Sequence, residues 1–128
     1  MAFCTAINCM DGRVQLPVIN YLMKRFGVDY VDAITEPGPV KILAEERDRG
    51  LLDSILNRVC ISTQQHGSGT IAICAHADCA GNPVDDKKQK QQLIEAALKL
   101  RQRYAPAHVI ALWLDANWNI RELEVGHQ

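Results

Sequence analysis

Two turns rich in metal-binding side chains, Cys9-Met10-Asp11-Gly12-Arg13 and His76-Ala77-Asp78-Cys79, each follow a short apolar run. That placement constrains the fold more than anything else in the chain. A short apolar run bounded by turn residues reads as a buried strand, and such strands belong to parallel sheets covered by helices on both faces. Residues at the carboxyl ends of neighbouring parallel strands converge on one edge, where α/β sheets bind their ligands. The two motifs can meet only if their strands are neighbours.

The rest of the chain supplies the alternation such a sheet needs. Residues 3–7 read as the first strand, with Cys9 just past its end. Pro17 is a good first helical residue, and Ile19, Leu22, Met23 and Phe26 recur with helical spacing before a stop at Gly27. Residues 28–35 read as the second strand, ended by Glu36-Pro37-Gly38-Pro39. A long helical region follows, in which Leu52, Ile55, Leu56 and Val59 hold the period and Gly50 marks a break or kink. His66-Gly67-Ser68-Gly69 is a loop, and residues 70–75 form a third strand that delivers His76. The polar stretch 82–92 opens another helix, with Leu93, Ala97, Leu100 and Tyr104 on one face. Residues 108–114 are a fourth strand, and Asn117-Trp118-Asn119 turns into a short last strand over 120–125. This repetition predicts an α/β fold, a mostly parallel sheet with right-handed crossovers and helices on both faces. The strand order 2-1-3-4 places Cys9 beside His76 and Cys79. Residues 1–128 are expected to form a single domain, since the length leaves no room for a second.

Composition excludes several functions. A formal net charge of −1 gives nucleic acid or an anionic membrane no purchase, and no run approaches the roughly 20 apolar residues that span a bilayer. The N-terminus lacks the basic start and apolar stretch of a signal peptide. Five cysteines without an export signal, an odd number, argue for metal binding or packing in a reducing compartment. A cytoplasmic protein is expected.

Two thiolates and one imidazole are three of the four ligands zinc takes, and a site with protein at three vertices leaves one for water. Cys9, His76 and Cys79 are the expected Zn2+ ligands. Each alone has a plainer reading, as a packing cysteine or a hydrogen-bonded histidine; their coincidence at matching strand ends outweighs it. Two thiolates cancel the charge of the ion, so bound water ionises less readily unless a neighbour favours hydroxide. Asp11 can accept the hydroxide's hydrogen bond and fix its lone pair, while Arg13 holds Asp11 bidentately and keeps it ionised. A solvated or helix-capping pair is the alternative for Asp11 and Arg13. The chemistry expected is hydration or hydrolysis of a small electrophile at zinc.

Cys-x-Asp-x-Arg followed by His-x-x-Cys resembles the signature of the beta-class carbonic anhydrases, and the resemblance runs from the first strand to the last hairpin. It implies reversible hydration of carbon dioxide to bicarbonate: zinc-bound hydroxide attacks the carbon, water displaces bicarbonate, and a proton leaves to solvent. By this resemblance Cys9, His76 and Cys79 are zinc ligands, Asp11 and Arg13 are the catalytic dyad, and the last strand of the sheet is antiparallel. It also implies a homodimer or larger assembly, and a second state in which Asp11 leaves Arg13 for the fourth zinc position.

The sequence departs from that pattern at three places. Ala75 and Ala80 stand where the family commonly has glycine. Thr35-Glu36-Pro37-Gly38-Pro39 replaces an Arg-Asn-Ala-Gly-like stretch, which puts an acidic residue and two prolines near the pocket. Family members often carry an N-terminal helical arm that wraps a partner, whereas this sequence begins at the first strand, so other surfaces are expected to hold a dimer. The altered segment keeps a second reaction open, hydrolysis of carbonyl sulfide or carbon disulfide. A non-catalytic zinc protein is the third reading, and it would gain from Cys74 acting as a fourth ligand, although core packing is the plainer role for Cys74. His66 is either an exposed loop histidine or a proton shuttle, Cys4 and Cys60 are packing residues, and Trp113 and Trp118 are core and hairpin residues.

Overall fold

In the computed structural model, which describes residues 1–126, the strands join in the order β2-β1-β3-β4-β5. They are β1 (Phe3–Cys9), β2 (Tyr30–Glu36), β3 (Thr70–His76), β4 (His108–Leu114) and β5 (Ile120–Leu123). All neighbours are parallel except β4 and β5, which are antiparallel. Both the strand order and the antiparallel last strand agree with expectation. β1 runs through Cys9, so this cysteine ends the strand rather than following it.

Helix boundaries are where the structure differs most from the sequence pattern. Helix α1 (Gly12–Phe26) starts well before Pro17, which lies inside it. The Asp11 carboxylate caps the helix by accepting from the Arg13 amide at 2.9 Å, so the cap sets the start and the helix tolerates the missing proline donor. The long helical region is two helices, α2 (Pro39–Glu45) and α3 (Arg49–Cys60). They part at Glu46, which adopts left-handed backbone, and at Asp48, which caps α3 through the Leu51 amide. Gly50 lies within α3 and breaks nothing. A π-helical turn over Ile61–Gln65 extends α3, and helix α4 (Asp86–Arg103) follows an Asp85 cap.

The helices cover the sheet unequally. On one face α1 packs Val14, Val18 and Leu22 against Ala6, Ala72, Cys74 and Leu112. On the other, α2, α3 and α4 bring Val40, Leu52, Ile55 and Leu93 onto Ile7, Ile34, Ile71 and Ile73. Each large aliphatic side chain fully buried this way contributes about 1.5–3 kcal/mol. The pairing of Ile7 with Ile73 keeps β1 and β3 level, so Cys9 and His76 emerge at one carboxyl edge.

Candidate metal centre

The three predicted metal donors converge at that edge. Cys9 ends β1 and His76 ends β3, while Ala77-Asp78 turns the chain back to present Cys79. The turn is anchored to β4 by the Ala77 amide, which donates to the Leu114 carbonyl at 3.0 Å, and it uses left-handed backbone at Asp78 (φ 57°). Gln15 braces the first motif by donating to the carbonyls of Cys9 (2.8 Å) and Asp11 (3.0 Å). All three donors are buried, and their ligand atoms lie within 4.8 Å of one another.

Two details of this geometry fit zinc. The sulfurs of Cys9 and Cys79 are 3.8 Å apart, and two thiolates at about 2.3 Å from a tetrahedral zinc would be separated by about 3.8 Å. A disulfide would bring them to about 2.05 Å, and both cysteines are free. The imidazole is equally prepared. Nδ1 of His76 lies 2.7 Å from the Ala77 carbonyl, which can only accept, so Nδ1 carries the proton. That leaves Nε2 with its lone pair, buried and without a hydrogen-bond partner among the described residues. An orphaned ring nitrogen beside two sulfurs is what a soft divalent cation would satisfy.

Backbone amides tune the sulfurs. Those of Gly38 and Asp11 favour the Cys9 thiolate, and those of Gly81 and Asn82 that of Cys79. The hydrogen bond between the two sulfurs lowers the pKa of one thiol and raises that of the other, as expected when two thiols share a proton. Burial opposes charge on His76, but the nearby Cys9 sulfur and the Ala77 carbonyl leave its pKa raised overall.

The loops that supply these amides touch backbone to backbone. A Cβ on Gly81 would stand 2.6 Å from the Pro37 carbonyl carbon, and one on Gly38 would stand 2.8 Å from the Asn82 Cβ. Gly38 also has φ +66°, which favours glycine. Gly81→Ala is therefore expected to destabilise the fold by about 1–3 kcal/mol and to loosen metal binding as the Cys79 loop retreats. Denaturant unfolding with and without zinc measures both effects; an unchanged midpoint would refute the close packing.

Asp11 and Arg13, in the turn that follows Cys9, pair with each other. The guanidinium grips the carboxylate through Nε (3.0 Å to Oδ1) and NH2 (2.7 Å to Oδ2). Chiefly through this bond, with the Arg13 amide assisting, the Asp11 pKa falls to about 2. Asp11 is thus ionised at any ordinary pH and bound to arginine, outside the three-donor group. Its helix-capping role, the alternative read from the sequence, is present as well. Asp11→Asn should keep the cap while removing the charge, whereas Asp11→Ala should cost about 1 kcal/mol more through the lost cap. Equal stability of the two variants would exclude the capping role.

Other candidates fall away from the site. His66 stacks on Phe3 (4.3 Å between centroids) and bonds the Asp32 carboxylate at 2.7 Å. Phe3 begins the strand that Cys9 ends, a span of about 20 Å, so His66 is no proton shuttle for this site. Cys74 is buried among Cys4, Ala72 and Leu112 and lies outside the donor group; burial pushes its pKa up. The Glu36 carboxylate pairs with Arg58 of α3, so the acidic residue of the altered segment is neutralised beside the pocket. One neighbour was missed as a site residue: Trp118, read only as a hairpin residue, lies under the Arg13 guanidinium. Nothing in the spacing of the sequence marks it, since its approach depends on a turn between β4 and β5.

Comparison with known proteins identifies a family and a fold. A family model described as "Putative carbonic anhydrase" matches residues 1–124. No curated protein sequence matches the chain. Among solved structures, the beta-carbonic anhydrase CafA of Aspergillus fumigatus is similar in fold, with a TM-score of 0.54. Its sequence identity is 14%, and the match covers 98% of this chain and 76% of that one. A structure from a study of two tetrameric beta-carbonic anhydrases of Sordaria macrospora gives a TM-score of 0.55 at 11% identity, over 98% of this chain and 82% of that one.

Proposed function

The chain belongs to this carbonic anhydrase family, and from that membership we propose that it catalyses the reversible hydration of carbon dioxide to bicarbonate at zinc. The ligands proposed are Cys9, His76 and Cys79, and the catalytic pair is Asp11 with Arg13. The observation that carries the reading is the three-donor group, whose sulfur separation and free imidazole nitrogen suit zinc and leave a vertex open.

Zinc bound there would supply an acidified water as the nucleophile. The residues of the chain do the rest. Amide donors on both thiolates withdraw negative charge from the ligands, which offsets the weakening effect of two anionic sulfurs. Asp11, held ionised by Arg13, can only accept. It therefore orients a protonated oxygen toward itself and the lone pair toward the carbon of the substrate. Arg13 keeps that carboxylate in one rotamer, and the proton released passes to solvent.

The same reading makes residues 1–128 one domain and the working protein a homo-oligomer, as the tetrameric Sordaria enzymes are. Among the described residues no helix is long and apolar enough to cross a membrane. A cytoplasmic location remains part of the proposal. Carbon dioxide is preferred over carbonyl sulfide and carbon disulfide because the matching family is one of carbonic anhydrases; the acidic residue of the altered segment is paired with Arg58. Stopped-flow hydration of carbon dioxide by zinc-loaded protein, beside sulfide release from carbonyl sulfide, separates the two. Faster sulfide release, or no turnover of either gas, would overturn the assignment.

A further inference from the structure

Among the described residues, three non-glycine positions have positive φ: Glu46, Asp78 and Trp118. Left-handed backbone is unfavourable for a residue with a Cβ, and most of all for a bulky one. Two of the three close on a single group, the guanidinium of Arg13. The Asp78 carbonyl accepts from NH2 at 3.4 Å, and its carboxylate lies 3.5 Å from NH1. The Trp118 ring lies beneath, its centroid 4.6 Å from the guanidinium carbon and 5.9 Å from that of the His76 ring.

The turn that carries Trp118 is tightly made. The Asp115 carboxylate accepts from the amides of Asn117 (2.9 Å) and Asn119 (3.0 Å), and its carbonyl accepts from the Trp118 amide (2.9 Å). Asparagine tolerates left-handed backbone well and stands on both sides, yet the left-handed position holds tryptophan (φ 64°). Strain of this kind persists where the side chain is needed and concentrates at functional sites.

We propose that Trp118, assisted by Asp78, is a positioning residue that seats the Arg13 guanidinium and so keeps Asp11 on arginine and off the metal. The inference rests on the reading of Asp11 and Arg13 as the working pair. A guanidinium offers a face to a ring and donors only in its plane. With the face on Trp118, the in-plane donors meet Asp11 on one side and Asp78 on the other, and one rotamer satisfies all three. Without the ring, Arg13 regains its freedom as an exposed side chain. Asp11 then loses its steady partner and becomes available to the fourth metal vertex.

Two variants test this. Trp118→Gly fits the left-handed turn without strain, and Trp118→Phe keeps a ring. The first readout needs no metal: the Nε–H resonance of Arg13 in metal-free protein should be shifted by the ring and slow to exchange. In Trp118→Gly it should move to an unshifted position and exchange faster, with Trp118→Phe between. The second readout is zinc release to a chelator. Release from Trp118→Gly should slow by roughly three- to fivefold, the scale of an exposed cation–π contact, because Asp11 joins the ligands. Turnover should fall by a similar factor with KM unchanged, and Trp118→Phe should recover most of it. A merely structural role would instead loosen zinc. An unmoved Arg13 signal in folded Trp118→Gly, or faster zinc release from it, overturns the proposal. If the Arg13 and zinc results hold while loaded protein hydrates no carbon dioxide, the reaction assignment fails and the seating role stands.

Discussion

Cys79→Ser is expected to empty the metal site before it unfolds the chain. The substitution trades a soft thiolate for a hydroxyl that stays protonated near neutrality, and zinc favours sulfur and nitrogen donors. Losing an outer-shell partner alone weakens metal affinity about 10- to 100-fold; loss of a direct ligand should exceed about 100-fold. The fold should tolerate the change, because Cys79 sits in a turn beyond β3 and serine is slightly smaller than cysteine. Metal analysis after dialysis against a chelator, with circular dichroism beside it, gives the answer. Full zinc retention by the variant would remove Cys79 from the ligand set.

Arg13→Ala should do the reverse, retaining zinc and losing most of the activity. Arg13 touches no donor atom of the metal group; it acts by gripping Asp11 through Nε and NH2. Removing an outer-shell group of this kind should lower turnover about 10- to 100-fold. The variant should also differ in acid. Asp11 titrates at about 2 rather than its ordinary 3.8. A depressed carboxyl stabilises the fold above its unfolded pKa, and that contribution is lost as pH falls from about 4 through about 2. Without Arg13 the Asp11 pKa should return toward its ordinary value, so this increment disappears and acid unfolding begins at a higher pH. A variant that keeps full turnover, or one that loses its zinc, would show that the division of roles between ligands and dyad is wrong.

The sheet was legible because its strands are short apolar runs that differ sharply from the polar segments between them. β3 and β4 were located to within a residue for this reason. Helix starts were less legible, since they depend on capping rather than on apolar period. Pro17 looked like a beginning, but Asp11 offers its carboxylate to the next turn, and a good cap can carry a helix past an interior proline. In the same way Gly50 looked like a break, whereas the chain parts at Glu46 and restarts at Asp48. The donors of the site were readable from residue type and strand position alone. The amides that polarise the sulfurs were not, because every residue carries one and only the loop conformation aims it. Trp118 was invisible for a related reason: its role arises from a contact across the sheet edge, between a hairpin and the first turn of α1.

The 3.8 Å separation of the two sulfurs is set by the end of β1 and the anchored turn after β3 rather than by flexible arms. A cavity of that bite, lined by soft donors, discriminates before any ion arrives. Magnesium and calcium, hard ions that seek six or more oxygens, would not find the right atoms there, however abundant they are. On the zinc reading proposed above, the carboxyl edge of the sheet would act as a sieve for its cation, and a stripped chain should accept replacement zinc without having to refold around it.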